Sequence, residues 1–198
     1  TDALNDITTG SFNTAIGKGA LSTATTAAGN VFIGYDCGLS IPASQALSAV
    51  VAIGKDAFVG SGSTTTGAGG TIAIGDSSLK SLTTGGNNIA VGSSAGTTIT
   101  TGASNIIMGY QSGGNVLDAD NNILIGYQSG KYLGSHEADD NVFIGYKAGF
   151  SGETDNANGN TATDNVGIGS NVMAGNTGSA TSNLFTPDWY PIIIFEAP

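Results

Sequence analysis

The chain contains no arginine. Its five basic residues are Lys18, Lys55, Lys80, Lys131 and Lys147, and with fifteen acidic residues the net charge is −10 over 198 residues. Proteins that grip phosphate backbones need a basic stripe to release counterions. An acidic chain without arginine repels nucleic acid, and it repels an anionic membrane for the same reason. Charge of either sign is scarce: charged residues make up 10%, against about 25% in an ordinary globular chain. A single cysteine, Cys37, excludes an intrachain disulfide. No run of 18 apolar residues occurs, so no membrane-spanning helix and no membrane insertion are expected. Glycine recurs about every ten residues, which argues against helices of any length.

What the chain has instead is a repeat. Nine times it spells one phrase: Asn, two apolar or small residues, a large aliphatic, then glycine. The phrase glycines are Gly17, Gly34, Gly54, Gly75, Gly92, Gly109, Gly126, Gly145 and Gly169, spaced 17, 20, 21, 17, 17, 17, 19 and 24 residues apart. Self-similarity at a period near 20 marks a stacked architecture. Each phrase is short, rich in β-branched residues and bounded by Asn and Gly, so it reads as a strand. The Thr-rich stretches at 7–9 and 82–84 read as a second short strand in the unit. The expected fold is all-β: a parallel β-roll or solenoid of about nine repeats. Strands stacked at about 4.8 Å would form a column on the order of 40–50 Å long. Asparagine opens the phrase in seven of nine copies. Stacked, these residues form a ladder of amides, or each simply suits a turn backbone.

Side chains alternate across a strand. The residue before each glycine is Ile, Val or Met, and the residue two earlier is Val, Ile or, once, Thr14. These two share a face, and the expectation is that this face lines the coil. The residue between them then points outward: Ala15, Phe32, Ala52, Ala73, Ala90, Ile107, Leu124, Phe143 and Gly167, none of them polar. A thin coil has one inside, so an apolar second face must be covered by another chain. Ala15 through Phe143 in that series are therefore the expected oligomer interface, and the chain itself is the expected partner.

Residues 1–178 form the repeat array, and residues 179–198 a C-terminal cap or plug, or the lead into a further domain. That last stretch holds the only tryptophan, Trp189, and departs from the repeat. Repeat arrays need atypical end units. At the other end, residues 4–10 match residues 79–85 position by position, which predicts more repeats upstream. Residues 40–49, 59–70, 115–120, 132–140 and 151–164 read as inserted loops.

Residues with chemical potential are few. His136 lies in an acidic loop with Glu137, Asp139 and Asp140, and reads as a solvated side chain rather than a general base. Cys37 reads as a small packed residue. Asp118, Asp120, Glu153, Asp155 and Asp164 complete the acidic clusters, but none has calcium-loop spacing. No metal, cofactor or catalytic residue is expected, and the chain does not read as an enzyme. Tyr35, Tyr110, Tyr127 and Tyr146 each follow a phrase glycine. They form a column that either contacts a ligand such as a sugar or stacks on itself.

The wording Asn-Thr-Ala-Ile-Gly-Lys-Gly-Ala-Leu, at residues 13–21, resembles repeats of bacteriophage tail fibres and other virion appendages. It is also similar to the head repeats of trimeric autotransporter adhesins. The resemblance covers residues 1–178. It implies a parallel β-roll, with three chains associated along one axis, intertwined or side by side. The units here are longer and more variable than the adhesin repeat, and residues 79–88 are closer to the phage wording. The expected role is a structural virion fibre, spike or decoration protein: a rigid trimeric rod on tail or capsid that supports host attachment. Its partners would be other virion proteins and a host surface glycan or receptor. The alternative is a trimeric adhesin head on the bacterial outer surface, binding a host ligand.

Overall fold

The computed structural model describes residues 2–42, 46–60, 67–133, 138–150 and 163–174, and the backbone of Leu184–Phe185. Nine three-residue strands fall on the nine phrases: β1 (Thr14–Ile16), β2 (Val31–Ile33), β3 (Val51–Ile53), β4 (Ile72–Ile74), β5 (Ile89–Val91), β6 (Ile106–Met108), β7 (Ile123–Ile125), β8 (Val142–Ile144) and β9 (Val166–Ile168). A two-residue strand, β10 (Leu184–Phe185), follows. All ten lie in one sheet in chain order, every pair parallel. Phrase aligns with phrase: Val31 pairs with Val51, Phe32 with Ala52 and Ile33 with Ile53, and the same holds in the other coils. The fold is an all-β solenoid, with no helix among the described residues. We number each coil after the strand that opens it.

Among the described residues, the rest of the coil is turn and bend, and it too is bonded from one coil to the next. Leu79 N–H donates to Ala95 O, Gly96 N–H to Ser112 O and Gly113 N–H to Ser129 O, each reaching one coil onward. The Thr-rich segments are not strands. They still join this ladder, with Thr83 N–H donating to Thr100 O and Thr100 N–H to Leu117 O, both at 2.7 Å. Residues 115–120 are not an exposed insertion either. They belong to a 17-residue coil, with Val116 and Ala119 buried.

Phrase glycines hold φ between +121° and +146°, a region that L residues rarely enter. A Cβ on Gly145 would run into the carbonyl oxygen of Gly169 in the next coil, and Gly75 meets Gly92 in the same way. Glycine is thus needed both for the turn and for the close stacking of one turn on the next.

The core runs up the inside of the column, and it corrects the expected faces. The middle residue of each strand points inward: Phe32, Ala52, Ala73, Ala90, Ile107, Leu124 and Phe143 are buried within the single chain, and Ala15 is half-buried at the end. The flanking aliphatics point outward and are half-exposed, as at Val31 and Ile33, Ile72 and Ile74, or Ile123 and Ile125. The physical reason is space. A coil this thin admits one inward side chain per strand, so the single central residue goes in and the pair around it stays out.

The fourth residue after each phrase glycine shares that interior, and its size answers the central residue. Ala15, Ala52 and Ala73 are followed by Leu21, Phe58 and Leu79. Phe32, Ile107, Leu124 and Phe143 are followed by Gly38, Gly113, Gly130 and Gly149. A Cβ on Gly38 would lie 2.6 Å from Phe32 Cδ1, and one on Gly130 2.7 Å from Leu124 Cδ2. Coil 5 is small at both places, Ala90 and Gly96, and Leu79 and Ile107 from the coils around it close on Gly96 together with Ile99 of its own coil. Cores are filled to crystal-like density, and here seven of the nine coils divide the interior space in one of two ways.

Candidate interaction surface

Three columns of side chains leave the coil on the sheet side. The first two are the outward aliphatics of β2 to β9. They form a flat apolar strip two side chains wide and, at about 4.8 Å per strand, roughly 35 Å long. Met108 and Ile168 are its most exposed members, at 40% and 51%, and Ile16 of β1 continues its edge at 58%. Contiguous apolar surface of this length is uncommon on a chain that works alone.

The third column lies beyond the glycines, and here the tyrosines stand, each close to half exposed. Tyr110 stacks on Tyr127 with ring centroids 5.4 Å apart and planes at 21°. Tyr127 stacks on Tyr146 at 5.2 Å and 9°. Both faces of Tyr127 are therefore covered by tyrosine, so it cannot offer a ring face to a sugar. Tyr35 stands apart, with Lys18 Nζ 5.5 Å from its ring centroid. Of the four tyrosines, the structure brings three together and leaves Tyr35 four coils away from Tyr110.

Behind the strip, polar side chains finish the coil rather than form a reactive centre. Asn30 donates from its backbone N–H and from Nδ2 to Asn13 Oδ1, at 3.1 and 3.0 Å. Asn105 does the same to Asn88, Asn122 to Asn105, Asn141 to Asn122 and Asn165 to Asn141. This is the amide ladder. Val50 and Thr71 interrupt it, and Thr71 Oγ1 is buried without a partner among the described residues.

A second ladder was not anticipated. Three residues after the glycine, Ser78, Ser112 and Ser129 donate to the carbonyl of the next coil's central residue, Ala90, Leu124 and Phe143. Cys37 occupies the same place, its Sγ 3.3 Å from Ala52 O. Burial pushes its thiol up to about 12, so it stays protonated and behaves as a small packed residue. The recurrence of Ser, Ala or Cys at this position was the available sequence signal.

Two carboxylates of the acidic segments serve the backbone. Asp120 Oδ1 accepts from Ala103 N–H, and Asp139 Oδ1 from Asp120 N–H, both at 2.7 Å. Among the described residues, no three His, Cys, Asp or Glu side chains are grouped to hold a metal ion. His136, Glu137, Glu153 and Asp155 lie outside the described residues, as do residues 179–183 and 186–198 of the expected cap.

Comparison with protein-family models, with curated proteins and with solved structures finds no match for this chain.

Proposed function

We propose that this chain is a structural element of a virion fibre, spike or decoration protein, in which three copies associate along one axis into a rigid rod that supports host attachment. The observation that carries the reading is the apolar strip on β2 to β9. Its residues are aliphatic in every coil from 2 to 9, although among the described residues they take no part in the buried core. A second copy laid along the strip would remove that surface from water at about 25 cal/mol per Å². The count of three and the virion setting follow from the resemblance of the repeat wording. The role is mechanical: bonds from coil to coil and a shared apolar seam keep the column extended.

The correction of the faces alters which residues the test must change. Ile74→Asp with Ile125→Asp places charge on the strip and leaves the interior untouched. Sedimentation equilibrium should find a trimer for the unaltered chain and a folded monomer for the double variant. An unaltered chain that sediments as a folded monomer at micromolar concentration would overturn the reading. The adhesin-head alternative is favoured by one feature, the exposed aromatic corner of coils 6 to 8. A coiled coil and a membrane barrel encoded downstream would decide for it.

A further inference from the structure

The corner of the coil just past the phrase glycine has two chemistries. In coils 2 to 4 it carries Asp36, Asp56 and Asp76, and Lys55 and Lys80 both lie within 3.6 Å of the Asp56 carboxylate. In coils 6 to 8 the places of Asp36 and Asp56 are taken by Gln111, Gln128 and Lys147, and the place of Asp76 by tyrosine. Lys131, Tyr132 and Phe150 join them. Tyr132 and Phe150 meet edge to face at 5.2 Å. Lys131 Nζ lies 5.0 Å from the Tyr132 centroid, and Lys147 Nζ lies 4.9 Å from Phe150 and 5.6 Å from Tyr146.

These two lysines differ from the other three. Lys18, Lys55 and Lys80 are exposed, whereas Lys131 and Lys147 are half-buried. Neither has a carboxylate partner among the described residues. Lys131 is held in place by Gln111 Oε1, which accepts from its ammonium and from Gln128 Nε2, both at 2.8 Å. In a chain of net charge −10, two lysines whose ammonium groups meet ring faces and an amide oxygen rather than a carboxylate among the described residues form a positive corner suited to an anion. Aromatic edges and amides around them favour an anion that also has C–H faces and hydroxyls. A monosaccharide bearing a carboxylate has all three.

We propose that the lysine–aromatic corner of coils 6 to 8 binds an acidic saccharide, with Lys131 and Lys147 meeting its carboxylates, Tyr132, Tyr146 and Phe150 its ring faces or edges, and Gln111 its hydroxyls. The site lies on one chain and does not depend on how copies assemble, so its failure and that of the rod reading are separable. The test is saturation-transfer NMR on the full chain with tri-galacturonate and sialyllactose, beside neutral maltotriose and a hexaglutamate peptide. At least one acidic sugar should bind saturably with Kd of about 1 mM or tighter, at least ten-fold better than maltotriose or hexaglutamate. Lys131→Gln with Lys147→Gln should weaken it ten-fold or more, with melting temperature and sedimentation unchanged. The proposal is overturned if neither acidic sugar binds saturably or if the double variant binds as well as the original. It is also overturned if hexaglutamate binds equally, since the corner then recognises charge alone.

Discussion

At the scale of single residues, the interior is governed by an exchange of volume between two positions. The central strand residue and the fourth residue after the glycine face one narrow space, so a large side chain at one requires a small one at the other. Phe143 with Gly149 is the tightest case, since a Cβ on Gly149 would meet Phe143 Cδ2 at 2.5 Å. Phe143→Ala alone should cost about 3–5 kcal/mol through the cavity it leaves. Gly149→Leu alone should cost about 1–3 kcal/mol by overpacking. Together they recreate the Ala73–Leu79 arrangement of coil 4, and the backbone permits it, because Leu79 holds φ at 46° where Gly149 has 64°. A double-mutant cycle read by urea unfolding should therefore show the pair less destabilising than the sum by about 1–3 kcal/mol. Strict additivity would mean that the two positions do not share space.

At the scale of the element, a three-residue strand is too short to be stable alone, and the ladders on either side hold it. The asparagine column supplies backbone and side-chain bonds at each step, and it is broken only where Val50 and Thr71 stand. Long connections do not explain the break, because the ladder crosses the 24-residue step from Asn141 to Asn165. Val50→Asn with Thr71→Asn should join the two segments and remove a buried hydroxyl without a partner. At about 1 kcal/mol per new bond, thermal unfolding should move upward, and an unchanged or lower midpoint would show that coils 3 and 4 cannot carry the amide. The existence of these strands was legible in the nine phrases, as was their parallel stacking, and the amide column was one of the two readings the recurrent asparagines allowed. The direction each face points was not legible, because alternation says which residues share a side but not which side is inside. That information lay in the opposed sizes of Phe32 and Gly38, or Ala73 and Leu79. Such compensation occurs only between residues that compete for one enclosed volume, so it marks the central position as interior. The lysine–aromatic corner was half legible: the tyrosine column shows in the phrase, but Lys131, Tyr132 and Phe150 sit at places that vary from coil to coil.

At the scale of the whole molecule, the column is close to one-dimensional, and among the described residues each strand touches only those above and below. Its length should then be adjustable in whole coils. Residues 88–104 make up one 17-residue unit, and removing them joins Asn87 to Asn105 with the spacing of the phrases intact. The new neighbours have precedents elsewhere in the column. Leu79 would lie below Ile107, as Leu21 lies below Phe32 in coils 1 and 2, and Gly85 would meet Ala119 as Gly10 meets Ala27. Asn105 would follow Thr71, the position Asn88 occupies now. The shortened chain should fold, keep its β-type circular dichroism, and lose about 5 Å of length by small-angle X-ray scattering, one strand spacing. Removing residues 88–96 instead deletes half a coil, puts the later phrases out of register with the earlier ones, and should abolish cooperative unfolding. If both deletions behave alike, the coils are not the independent units that the stacked bonds describe.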